Sequence, residues 1–259
     1  MGKIYMIGAM KGGVGKSVSA FNLAYSLQKI GKRVLAVDMD PQSNLTTCFG
    51  VGGDADTTVS ELMMAVLEED MLPEREDFIW ERNGVDIVPA SIGLSAVEAK
   101  LRLEMGTERM LSMILEPLRD EYDYILIDTA PSLGALNINA MTAADEVIVT
   151  VNPQLLAMKG LQDFLRTVGK IRSRLNGRLN VAGILLTMCD ARTNLCRTIT
   201  EQVAEAFRGQ VRIFDSRIPH TVKVGESVYY SEPLLEYAPG SSACVAYEDL
   251  AKEVAAYEG

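Results

Sequence analysis

Two lysines bracket a glycine-rich loop near the start of the chain, in Gly8-Ala9-Met10-Lys11-Gly12-Gly13-Val14-Gly15-Lys16-Ser17. The chemistry these residues can do is to hold a polyphosphate. Glycines keep side chains away, so backbone N–H groups from Gly12, Gly13, Val14, Gly15 and Lys16 can converge on phosphate oxygens, and a following helix adds its partial positive charge. Lys16 can reach the β/γ oxygens, Ser17 can offer its hydroxyl to Mg²⁺, and the N–H of Val18 can meet an α-phosphate. The earlier Lys11 stands where such a loop has no need of a cation. A glycine-rich turn with two solvated lysines is the bland alternative, and the flanking pattern argues against it. Ile4-Tyr5-Met6-Ile7 reads as an apolar strand, and Ala20-Phe21-Asn22-Leu23-Ala24-Tyr25-Ser26-Leu27 has helical spacing, which is the context a phosphate loop needs.

Two aspartate segments supply the acidic partners. Arg33-Val34-Leu35-Ala36-Val37-Asp38-Met39-Asp40 is an apolar run ending in two carboxylates, and Tyr124-Ile125-Leu126-Ile127-Asp128 is another ending in one. Either aspartate alone would read as a strand-end cap; in this order behind the loop the three segments strengthen the reading of a nucleotide site, with Asp128 delivered towards a Mg²⁺ shell.

The elements that must position these groups follow from periodicity. Strands are predicted at 3–8, 33–38, 85–89, 124–128, 147–152, 181–187 and 211–214. Helices are predicted near 16–30, 58–68, 94–104, 107–121, 135–143, 159–176, 195–208 and 242–257. Continuous apolar strands imply a sheet covered on both faces, and strand–helix alternation implies parallel pairing. The fold class is α/β, a doubly wound, mostly parallel sheet flanked by helices on both faces, with residues 1–259 expected to form a single domain. Ligands should lie beyond the carboxyl ends of the strands, where Lys16, Asp40 and Asp128 all fall.

The segment Lys-Gly-Gly-Val-Gly-Lys-Ser resembles the deviant Walker A loop of the ParA/MinD group of P-loop ATPases, and the Asp128-Thr129-Ala130-Pro131-Ser132-Leu133-Gly134 ending is similar to theirs. The resemblance implies an ATP- and Mg²⁺-dependent hydrolase, slow and stimulated by a partner. Lys11 would cross a dimer interface to phosphates held by the other subunit, giving an ATP-dependent homodimer. Asp40 would orient or activate the attacking water, Lys16 would hold the phosphates, and Ser17, Asp38 and Asp128 would serve the metal. Relatives flank the adenine with positions matching Met188 and Pro219, which could equally be core and turn. Many relatives carry a second hydroxyl where this chain has Val18, so one side-chain hydrogen bond to nucleotide is expected to be lost.

Charge gives the next indication. The 259-residue chain carries a net charge of −10, yet residues 159–223 hold twelve Lys/Arg against five Asp/Glu, a local +7 that leaves −17 elsewhere. Such asymmetry points to a surface that meets polyanions. Lys170, Arg172 and Arg174, with Arg166 and Arg178, lie on or around one helix, and Arg192, Arg197, Arg217 and Lys223 follow. The stretch around Arg192 looks like the place where the ParA family carries a DNA-contacting arginine. A solvated helix face is the alternative. No base-reading module is recognisable, so the expected contact is with double-stranded DNA phosphates, independent of sequence and weakened by salt. His220 stands where relatives often have an arginine.

Composition excludes other classes. Four cysteines show no metal-binding pairing and His220 is the single histidine, so a zinc or iron–sulfur site is not expected and the thiols suit a reducing cytosol. The start of the chain runs directly into a strand, without a signal peptide pattern. The C-terminal amphipathic stretch 243–257 is acidic rather than cationic, against the membrane-binding ending of MinD-like relatives. The acidic stretch 54–81, with Asp54, Asp56, Glu68, Glu69, Asp70, Glu74, Glu76 and Asp77, could receive a basic segment or simply be solvated. The reading is a ParA/Soj-like partition ATPase, cytoplasmic and nucleoid-associated, working with a ParB-like centromere-binding protein. Two alternatives are the same engine positioning a non-DNA cargo and a nucleotide-gated scaffold with negligible turnover. A metabolic P-loop enzyme would leave the basic stretch without a purpose.

Overall fold

The computed structural model describes residues 1–52, 55–153, 157–190 and 194–257. In chain order the elements are β1 (Lys3–Gly8), α1 (Lys16–Lys29), β2 (Val34–Met39), α2 (Asn44–Cys48), α3 (Val59–Leu67), α4 (Arg75–Phe78), β3 (Trp80–Arg82), β4 (Val85–Val88), α5 (Leu94–Leu101), α6 (Met110–Leu115), β5 (Tyr124–Thr129), α7 (Ala135–Ala143), β6 (Glu146–Val151), α8 (Ala157–Arg174), β7 (Asn180–Cys189), α9 (Asn194–Ala206), β8 (Ile213–Pro219), α10 (Val222–Tyr229), α11 (Leu234–Tyr237) and α12 (Ser242–Ala255). They build an eight-stranded sheet in the order β3-β4-β2-β5-β1-β6-β7-β8. All pairings are parallel except β3 with β4.

Every residue of β2, β5 and β6 is buried, because helices cover both faces of the sheet. On one face α1 and α12 pack over Tyr5, Ile7, Val34 and Ala36, with Phe21, Phe49 and Tyr247 among the buried side chains. On the other, α3 and α5 to α9 pack over Ile4, Met6, Leu35 and Val37, around Phe164 and Leu136. The chain leaves β1 toward β2 on one side, and passes from β5 across β1 to β6 on the other. That reversal opens a crevice at the carboxyl end of β1, directly at the phosphate loop.

The structure differs from the sequence expectations at the edges. Strand β3 was not expected: it has three residues, none buried, and so leaves no apolar signature. The helix expected over 107–121 is three pieces, a 3-10 turn at Thr107–Arg109, α6, and a 3-10 turn at Glu116–Leu118 holding Pro117, which has no N–H to continue an α-helix. The last strand lies at 213–219 rather than 211–214, and α10 follows, capped by the Thr221 hydroxyl accepting the Lys223 N–H at 3.3 Å. The acidic apolar-striped C-terminal stretch is α12, whose Tyr247, Leu250 and Val254 are core. Among the described residues no helix is long and apolar enough to cross a membrane.

Candidate nucleotide site

The loop between β1 and α1 takes its shape from glycines in the left-handed region. Gly13 has φ 69° and Gly15, capping α1, has φ 78°, so a side chain at either would be strained. Thr187 ties the loop to β7 by donating to the Val14 carbonyl at 2.8 Å, and Thr129 joins the ends of β5 and β1 by donating to the Ile7 carbonyl at 3.0 Å. The two lysines then part company. Lys16 is buried, 6% exposed, at the head of α1. Lys11 is exposed and, among the described residues, enters no ion pair.

Beside the loop, the register of β2 and β5 places Asp38 opposite Asp128. Both are fully buried. Asp38 is well supplied with donors: its Oδ1 accepts the Asp40 N–H at 3.0 Å, and its Oδ2 accepts the Thr46 N–H and hydroxyl, each at 2.8 Å. Neither oxygen of Asp128 has a donor in bonding geometry. Burial raises the Asp128 pKa and the negative charge of Asp38 raises it further, against the smaller opposing effects of the Ser17 hydroxyl and the Lys16 ammonium. Burial likewise raises Asp38, with the Thr46 and Asp40 donors pulling it back. A buried carboxylate with two unpartnered oxygens next to a serine hydroxyl is the donor set a hard divalent cation satisfies. Asp128 and Ser17 therefore fit Mg²⁺, whereas the Asp38 oxygens already accept from Thr46 and Asp40. Asp40 lines the cleft with Gly12, Gly13, Lys16, Ser17 and Pro131. One of its oxygens accepts the Gln42 N–H at 2.9 Å, and among the described residues the other makes no hydrogen bond.

Next to the phosphate cleft lies an apolar cavity of about 430 Å³ lined by Val18, Met188, Pro219, Val224, Val228 and Tyr247. Met188 has φ 52°, an uncommon conformation for a residue with a long side chain, and its sulfur accepts the Asn152 amide at 3.5 Å. The two cavities share Gly15, Val18, Met188 and Val228, so a planar base can continue from the phosphates without a break. Val18 contributes apolar wall. Its neighbour Ser19 is buried, its hydroxyl 3.2 Å from that of Tyr247. The sequence reading missed Thr46, Thr129, Thr187, Val228 and Tyr247. Apart from Thr129, which sits within the Asp128–Gly134 motif, no local motif marks them, and most of their contacts join distant segments.

The basic stretch does not form one patch. Arg197 on the first turns of α9, Arg217 on β8 and Lys223 on α10 are exposed near the carboxyl ends of β7 and β8, on the nucleotide side. Lys223 is paired with Glu226 at 2.9 Å. Lys170, Arg174, Arg178 and Arg208 lie at the opposite end of the sheet. Arg192 and Asp54 lie outside the described residues.

A glycine loop running from a central parallel strand into a helix, with a buried lysine and a carboxylate from the neighbouring strand, defines a P-loop nucleotide-binding protein. Residues 2–181 match the family described as AAA domain. The chain is 41% identical over 257 residues to the sporulation initiation inhibitor protein Soj of Bacillus subtilis, covering 99% of each, and 37% identical to the chromosome partitioning protein ParA of Caulobacter vibrioides, covering 99% of this chain and 95% of that one. Among solved structures, cobyrinic acid a,c-diamide synthase of Mycobacterium smegmatis with a bound ATP analogue and magnesium superposes with a TM-score of 0.82 at 30% identity, over 97% of this chain and 93% of that one. The chain belongs to the Soj/ParA family of partition-type P-loop ATPases.

Proposed function

We propose that the protein, acting as one domain over residues 1–259, is an ATP-driven DNA-coating switch of a partition system. ATP with Mg²⁺ binds across the two cavities, and two subunits close face to face over it. Lys16 neutralises the β/γ oxygens. Ser17 and Asp128 hold the cation, which when bound offsets phosphate charge. Asp40 positions the attacking water, and hydrolysis lets the subunits part. The observation that carries this reading is the contrast between the lysines: Lys16 is buried at the head of α1, while Lys11 stands exposed on the same loop without a partner carboxylate among the described residues. A nucleotide of three or four negative charges between two acidic subunits is what such a cation would complete. The dimer doubles the basic surface, tying affinity for duplex DNA to ATP, and a ParB-like partner accelerates release. Its site of action is the cytoplasm, on the nucleoid.

The test is binding of purified protein to random-sequence duplex DNA without nucleotide, with ADP, and with ATP and Mg²⁺, alongside light scattering for the dimer. Expected are an ATP-selective dimer and ATP-selective DNA binding, both lost in Lys11→Ala although that variant still binds ATP. Asp40→Ala should stay dimeric and DNA-bound, with turnover reduced at least about tenfold, as loss of a water-positioning group implies. An ATP-bound dimer with no affinity for DNA would discard the DNA-coating role, and rapid turnover in Asp40→Ala would remove that residue from the mechanism.

A further inference from the structure

The cations of the basic stretch fall at two ends of the sheet, and the end away from the nucleotide is the one the proposed function leaves unused. Strand β7 has ten residues, about 30 Å at the usual strand rise. Arg197 follows its carboxyl end, on the first turns of α9, and Arg217 on β8 lies level with Leu186, near that end. Around its amino end are Lys170 and Arg174, one turn apart on the last stretch of α8, Arg178 in the connection to β7, and Arg208 just after α9. Arg172 lies at the same end, where its charge acts on Glu146 at the start of β6. Arg109 joins them, its guanidinium donating to the Leu175 carbonyl at 3.4 Å.

Lys170, Arg174, Arg178 and Arg208 are all exposed, and among the described residues none of them enters an ion pair. Six other cations, Arg33, Arg75, Lys100, Arg102, Arg166 and Arg212, each face a carboxylate. Glu205, three residues before Arg208, makes no bridge to it. Four unneutralised cations at one pole of a chain of net charge −10 form a local positive field. Helix C-termini favour some basic residues on their own account, but Arg178 and Arg208 lie outside α8 and α9.

We infer that this distal cluster is a second contact surface for double-stranded DNA, separate from the cations flanking the nucleotide cavity. The chemistry of the surface selects that partner. On the segment 159–212 that carries the four cations, no large apolar side chain of the described residues is exposed, although Met105 and Met113 are exposed on either side of Arg109 in the chain. A lipid surface would need an apolar face to insert, and a single strand would need aromatic platforms for its bases. Duplex phosphates need only well-placed cations. This inference rests on the DNA-coating reading and adds to it where the second set of contacts lies.

The experiment compares the parent with the combined variant Lys170→Gln, Arg174→Gln, Arg178→Gln and Arg208→Gln, with ATP and Mg²⁺, on random-sequence duplex across a salt series. Each phosphate contact contributes roughly 0.9 to the slope of log affinity against log salt, so the variant should show a slope shallower by about 2–4 and binding at least about tenfold weaker near 0.1 M salt. ATP-dependent dimerisation and the thermal midpoint should match the parent's. A companion with lysine at the three arginine positions and native Lys170 should bind as the parent does; if it binds as poorly as the glutamine variant, the loss is structural and the inference falls. Unchanged slope and affinity in the glutamine variant overturns the distal surface while leaving DNA coating intact. A parent that binds no DNA overturns both. Loss of binding to vesicles of anionic lipid, with DNA binding unchanged, assigns the cluster to a membrane instead and overturns the inference.

Discussion

At Asp38 two buried oxygens are held by three donors, and two of those donors belong to Thr46. The Thr46 hydroxyl also accepts the Ala90 N–H at 2.9 Å, so one side chain joins the end of β4 to the carboxylate beside the metal position. Thr46→Val would leave Ala90 and Asp38 each short of a partner in a dry interior. The expected cost is about 1–3 kcal/mol of folding stability, read from urea unfolding, with Thr46→Ser close to the parent. Val18 shows the same dependence on surroundings. From the loop pattern alone it is a missing hydroxyl, and in the structure it is part of the apolar wall against which a base would lie. Lys16, Ser17, Asp40 and Asp128 stand in local motifs, while Thr46 and Thr187, which hold Asp38 and the Val14 carbonyl, carry no local signature.

Among the elements, the seating of the phosphate loop depends on how closely α8 approaches β1. A Cβ on Gly8 would lie 2.5 Å from the Phe164 ring, and Phe164 is fully buried in that core. Gly8→Ala should therefore displace α8 or the loop, costing about 1–3 kcal/mol and weakening nucleotide binding, as calorimetry with ATP would register. The central strands and α1, α7 and α12 were legible because apolar runs and helical stripes coincide with complete burial. Strand β3, α4, α10 and α11 were not. They are short, at the sheet edge or over the base cavity, and tertiary contacts stabilise them more than any periodicity of their own. An example is the Asn22 side chain of α1 accepting the Leu234 N–H at 2.9 Å where α11 begins.

For the whole molecule, stability is set partly by a carboxylate away from the site. Glu146 is 4% exposed at the start of β6, with a buried oxygen lacking a partner. Burial raises its pKa from 4.5 to about 7, with Lys3 and Arg172 opposing. Below about pH 4.5 the side chain is protonated folded and unfolded alike. Between 4.5 and 7 the unfolded chain releases its proton first, so stability falls as pH rises through that window. Glu146→Gln should match the parent near pH 4.5 and exceed it by about 1–3 kcal/mol at pH 8, measured by denaturant unfolding at both pH values. The sheet also divides a basic stretch contiguous in sequence between the two ends of β7. That separation gives the salt-dependence experiment its two distinguishable surfaces.

By itself the sequence determined the phosphate loop, the lysine pair, the three aspartates and the parallel sheet behind them. Each of these is written in a local pattern, because glycines must follow one another to free backbone N–H groups and a buried strand must be apolar throughout. Only the tertiary structure decided that Asp38 is spoken for by Thr46 while Asp128 is left free, and that Met188 and Pro219 line one cavity with Tyr247 from the far end of the chain. It also decided that the arginines part to opposite ends of β7. Those facts depend on which distant segments a fold brings within hydrogen-bonding or van der Waals reach, and no short-range pattern encodes that.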